Sequence, residues 1–97
     1  MVILIKRILV EFSEVYTDAA EALNNWYNIT RLADWGSFSD VKQAFSSVDA
    51  VGNDRFVFNI KGNHYRLVVM IHFDKRTIYI RFVGTHSAYD KIDCSTV

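Results

Sequence analysis

From residue 55 onward, apolar and polar positions alternate with a period of two. Phe56, Phe58 and Ile60 alternate with Arg55, Val57, Asn59 and Lys61. Tyr65, Leu67, Val69 and Ile71 alternate with His64, Arg66, Val68, Met70 and His72, and Ile78, Ile80 and Phe82 alternate with Thr77, Tyr79, Arg81 and Val83. Successive side chains on a strand point to opposite faces, so the spacing predicts three half-buried antiparallel strands. The joint "KGNH" centres on Gly-Asn, a favoured two-residue hairpin loop, which sets Ile60 opposite Tyr65 and Asn59 opposite Arg66. A second turn at Asp74-Lys75 sets Ile71 opposite Ile78, Val69 opposite Ile80 and Val68 opposite Arg81.

The first half follows a different period. "VILI" is a short apolar run suited to a buried strand, and after it Ile8, Phe12, Val15 and Tyr16 recur at helical spacing with Glu11 and Glu14 turned outward. Asp18 followed by Glu21 has the spacing of a capping box and predicts a second helix, with Ala19, Ala22, Leu23, Trp26, Ile29 and Ala33 on its inner face. "DWGSFSD" breaks the pattern, and Ser37 or Ser39 is placed to cap a short helix over "DVKQAF". Gly52-Asn53 marks another turn. The fold class this predicts is α+β: an N-terminal strand and two helices on one face of an antiparallel sheet, with a short C-terminal helical turn.

Ninety-seven residues, just over half of them apolar or aromatic, suit one domain over 1–97 with a single core. No apolar run approaches the roughly 18 residues of a membrane span, and the lone Cys94 fits a reducing compartment. A cytoplasmic protein without membrane association is the expectation. Net charge is zero but unevenly placed: residues 1–54 carry four Lys or Arg against eight Asp or Glu, and residues 55–97 carry seven against three. That asymmetry points to an anion-binding second half. The sheet face turned away from the helices is expected to gather Arg55, Asn59, Lys61, His64, Arg66, Tyr79 and Arg81, where solvated charges on an open face and a phosphate-binding surface are equally good readings.

The last strand runs into "FVGTHSAYDKI". Thr85 or Ser87 can cap a helical turn in which His86 and Asp90 fall at i and i+4, with Tyr89 beside them. Imidazole serves as general acid or base near neutral pH, a carboxylate fixes its tautomer, and a phenol can stack on a base or move a proton. Next to a guanidinium such as Arg66, the set suits RNA cleavage by attack of the ribose 2′-hydroxyl on its own phosphodiester, a reaction that needs no metal or other cofactor. His64 and His72 are eight residues apart, about 25 Å along a strand, too far to share a metal ion.

The strings "VGNDRFVFNIKGNHYRLVVMIHF" and "IYIRFVGTHSAYDKID", with a weaker "ALNNWYNITRLADW", resemble the HigB toxins, mRNA interferases of type II toxin–antitoxin modules within the RelE-like superfamily. The resemblance implies a compact α/β fold and an endoribonuclease that cuts mRNA on the ribosome. It implies neutralisation by a HigA-like helix-turn-helix antitoxin. Residue by residue, it implies that Arg66 contacts phosphate, that His86 stands where relatives carry a basic catalytic side chain, and that Tyr89 is the C-terminal aromatic; Asp90 joins the catalytic set through its spacing from His86. Asn59, Lys61 and Asn63 match the family's string "FNIKGN", and Arg55, Arg81 and Lys91 are expected along the RNA backbone. The alternative is an RNA- or ribosome-binding relative that has lost cleavage.

Overall fold

The alternation from residue 55 builds the centre of a five-stranded sheet. The computed structural model describes residues 1–97. In chain order they form β1 (Val2–Leu4), α1 (Arg7–Val15), α2 (Ala20–Arg31), α3 (Phe38–Ala44), β2 (Asp49–Gly52), β3 (Arg55–Ile60), β4 (Tyr65–His72), β5 (Thr77–Thr85) and α4 (His86–Tyr89). The strand order is β1-β5-β4-β3-β2. The sheet is mixed: β2 to β5 form an antiparallel meander, and β1 joins its edge parallel to β5. Strand β2 was not expected. Its residues precede a turn centred on Asn53 and Asp54, both left-handed at φ 52° and 60°, one step later than Gly52-Asn53.

The helices cover one sheet face. Leu9 of α1 and Leu23 and Trp26 of α2 pack on Phe56, Phe58, Ile60, Tyr65, Leu67, Val69, Ile71, Ile78 and Ile80. Rings carry much of this core, with Trp26 edge-on to Phe58 at 5.4 Å and Phe58 edge-on to Phe45 at 5.3 Å, the geometry that aromatic quadrupoles favour. Two helical positions differ from expectation: Val15 and Ile29 face solvent, because the buried stripes run through Leu9 and through Thr30 instead. Neither Ser37 nor Ser39 caps α3 with its side chain. The side chain of Ser37 caps nothing, and the Asp40 carboxylate accepts from Gly36 N–H at 2.9 Å in its place.

Asp18 is also not a cap. It accepts the Tyr65 hydroxyl at 2.6 Å and the Lys61 ammonium at 2.9 Å, tying the start of α2 to the β3–β4 hairpin. Together they hold its carboxyl below the ordinary 3.8, the Tyr65 bond most of all, and in return the Asp18 hydrogen bond pushes the Tyr65 phenol up to about 12.

Both predicted hairpin registers hold near their turns: Ile60 pairs with Tyr65, Asn59 with Arg66, Ile71 with Ile78 and Val69 with Ile80. Past Ile80 the second one changes. A β-bulge inserts Arg81, so that Val68 pairs with Phe82 rather than with Arg81. An extra residue turns every later side chain over, which sends Val83 to the core and Phe82 to the opposite face.

Candidate functional site

The face opposite the helices is organised in three rows by strand register. Arg55, Met70 and Tyr79 form one, Val57, Val68 and Phe82 the middle one, and Asn59, Arg66 and Gly84 the third. The bulge decides the third row. It places Gly84 beside Arg66, and a Cβ on Gly84 would stand 2.5 Å from the Phe82 ring, so only glycine leaves the ring its seat. The middle row is apolar, with Val57 4% and Val68 0% exposed. The expectation of an open basic surface therefore needs correction. C-terminal residues lie on the rows to either side: Tyr89 stands by Arg66 in the third row, and Val97 is bonded to Arg55 in the first.

At the third row Arg66 meets Tyr89, and the His86–Asp90 pair follows directly after the end of β5. Arg66, half-buried on a central strand, donates from Nη1 to the carbonyl oxygens of Asn63 at 3.1 Å and Tyr65 at 3.4 Å. These bonds fix the guanidinium while Nε and Nη2 bond to no protein acceptor, and its centre lies 5.9 Å from the Tyr89 ring. Strand β5 ends beside it, because Tyr65 pairs with Thr85 and His86 N–H donates to the His64 carbonyl at 3.3 Å. Thr85 then caps α4, its hydroxyl accepting from Ala88 N–H at 3.1 Å. One turn of helix sets His86 Nδ1 3.1 Å from Asp90 Oδ2. A carboxylate can only accept, so in the tautomer with the proton on Nδ1 this bond fixes the ring and leaves Nε2 as an acceptor.

Tyr89 is held differently. Its hydroxyl donates to Cys94 Sγ at 3.4 Å, and that bond, with desolvation, pushes the phenol up to about 12 against the opposing pull of Arg66. It is a proton donor throughout the neutral range.

The expected RNA contacts divide. Asn59 stands opposite Arg66, and Asn63 lies in the adjoining loop with its carbonyl on Arg66. Lys91 is exposed just past Asp90. Lys61 is elsewhere: its left-handed backbone, φ 51°, sends the side chain to Asp18 on the helix side. Arg55 and Arg81 lie at the far end, four residues along β3 from Asn59 or about 13 Å, and both donate to the Val97 main-chain oxygen. Cys94 and the carbonyls of Ser95 and Val97 were missed as partners of these groups. Main-chain acceptors leave no trace in residue identity.

No three His, Cys, Asp or Glu side chains converge as a metal-binding group, and no helix is long and apolar enough to cross a membrane. Residues 19–92 match the HigB_toxin family, described as the RelE-like toxic component of a toxin–antitoxin system. Over 52 residues the chain is 40% identical to the mRNA interferase toxin HigB of Escherichia coli K12, and equally to mRNA interferases HigB of Escherichia coli O157:H7 and Shigella flexneri. These alignments span 52% of the chain and 50% of each relative, so the chain spans about half the length of the curated relatives it matches. The family match takes in Arg66, His86, Tyr89 and Asp90 along with α2 through α4 and the whole meander, and by that match the chain belongs to the RelE-like HigB toxin family.

Proposed function

We propose that the chain is a cytoplasmic endoribonuclease toxin that cuts mRNA on translating ribosomes without a metal ion and is neutralised by a HigA-like helix-turn-helix antitoxin. One observation carries the reading: a fixed guanidinium with unused donors and a carboxylate-held imidazole stand at the same end of one sheet face. In the reaction, a ribose 2′-hydroxyl attacks its own phosphorus and passes its proton to His86 Nε2. Arg66 takes the charge that builds on the phosphoryl oxygens, where a planar two-pronged donor fits best. The bond from phosphorus to the 5′-oxygen breaks, and the leaving oxygen takes the proton of Tyr89. The products are a 2′,3′-cyclic phosphate and a 5′-hydroxyl. Asp90 keeps the imidazole in its productive tautomer, and Asn59, Asn63 and Lys91 border the path of the strand.

The test is brief induction in cells lacking antitoxin, followed by mapping of mRNA 5′ ends. New ends at a fixed position in the reading frame, with growth arrest that Arg66→Ala and His86→Ala relieve while both variants stay folded, are the expected outcome. Arrest by both variants at wild-type strength rejects the assignment. RNA binding with no new ends supports the binding module that lacks cleavage.

A further inference from the structure

The β-bulge at Arg81 turns Phe82 out of the core, against the alternation that would have kept it with Ile78 and Ile80. On the face it occupies instead, the ring is half-buried, in the row of Val57 and Val68. Sealing that row does not account for where the ring lies. Its tip reaches along the strand into the third row: a Cβ on Gly84 would stand 2.5 Å from Phe82 Cζ and 3.1 and 3.3 Å from the two Cε atoms. A ring that only roofed the two valines would leave the position at Gly84 free for a side chain. Instead Gly84, the strand partner of Arg66, is buried and the ring tip lies over it.

The ring therefore stands beside the proposed reaction centre. Arg66 Nε and Nη2 are the donors left for a phosphate, and a phosphodiester held there carries one nucleoside on each side. Single-stranded RNA is gripped by this combination of a cation for the backbone and an aromatic face for a base, because every base has a π-face to stack. The other side chains around Arg66 are otherwise engaged or differently shaped. Tyr89 is bonded to Cys94 and serves proton transfer in the proposed reaction, and Asn59 and Asn63 present amides. Phe82 is the ring left to receive a base.

We propose that Phe82 stacks on the base of a nucleotide flanking the scissile phosphate and so sets that phosphate against Arg66. The proposal rests on the nuclease reading and deepens it, since it names how the site grips its substrate. The grip is on a base face rather than a base edge, so it tolerates any base at that position.

The test is cleavage of a defined mRNA on ribosomes at subsaturating toxin, with the cut site mapped first and an abasic ribonucleotide then placed on either side of it in turn. Phe82→Leu keeps an apolar side chain in the row of Val68 but has no flat face. It is expected to cut intact mRNA about 5-fold or more slowly, as loss of one base–aromatic stack does, while urea unfolding confirms that it is folded. An abasic nucleotide on one of the two sides is expected to slow wild type to a similar extent and to slow Phe82→Leu no further, because ring and base act as a pair. Losses that multiply at both positions overturn the proposal, as does a folded Phe82→Leu chain that cuts intact mRNA at the wild-type rate. The unmodified chain gives a reading independent of the variant: wild-type cutting that an abasic nucleotide on neither side slows also overturns the stack. Each of these results leaves Arg66 and His86 standing, whereas a wild type that cuts no intact mRNA on ribosomes overturns the nuclease reading itself.

Discussion

Asp18 illustrates how one residue's spacing can match a motif while its chemistry goes elsewhere. Three residues before Glu21 it has the position of a helix cap, yet its carboxylate binds Tyr65 and Lys61 across the hairpin. The Lys61 pair is largely exposed, and such pairs contribute little; the short bond from the buried Tyr65 hydroxyl is the one that fixes the hairpin. Because the folded carboxyl sits below 3.8, its contribution is complete above that value and is lost as pH falls through the lower folded value. The Tyr65 phenol works in the other direction. Raised to about 12, it contributes fully below 10.0, and that stability is lost as pH rises through about 12. Asp18→Asn keeps an acceptor without the charge, so its melting temperature is expected to vary less than that of wild type both below 3.8 and above 10.0. Thermal unfolding across pH checks this, and parallel acid limbs in the two proteins would refute it.

Strand β5 is the element on which the site depends. Its alternation is legible from Thr77 to Ile80, and so are the helical turn from Thr85 to Asp90 and its His86–Asp90 pair, with the cap narrowed to Thr85 or Ser87, because both are local patterns of side-chain spacing. The bulge between them was not legible. Arg81 as an extra residue and Arg81 as a ladder residue leave the same string of letters, and only the pairing to β4 separates them. Likewise β2 could not be told from a loop, being a short edge strand of four residues with three of them exposed. The bulge predicts a sensitive glycine. Gly84→Ala needs no change of backbone region, but its methyl would meet the Phe82 ring at 2.5 Å, so the ring must leave its seat next to Arg66. Overpacking of this kind costs about 1–3 kcal/mol. Urea unfolding is expected to register that loss, with proposed RNA cleavage impaired as well; an unchanged midpoint would mean that the ring is not held.

For the molecule as a whole, the sheet separates two tasks. One face carries the core, and the helices that pack on it hold Glu11, Glu14, Glu21 and Asp40. The other carries arginines in its outer rows around a buried apolar middle, so the basic half of the sequence becomes two cationic ends rather than one open surface. Charge counting revealed the asymmetry but not this division, because a count along the chain does not show which strand rows the charges occupy. The proposed chemistry belongs to the end where Arg66, Tyr89 and the His86–Asp90 pair meet, and general acid–base groups of this kind typically contribute about 10²- to 10⁴-fold. The most direct measurement is the cleavage rate of a defined mRNA on ribosomes, with analysis of the new ends, for wild type, Arg66→Ala and His86→Ala. The account predicts 2′,3′-cyclic phosphate and 5′-hydroxyl ends, no cutting where a single 2′-deoxynucleotide replaces the attacking ribose, and a loss of about 10²-fold or more in each folded variant. Cutting that survives the 2′-deoxy substitution, or folded variants that cut at the wild-type rate, would contradict it.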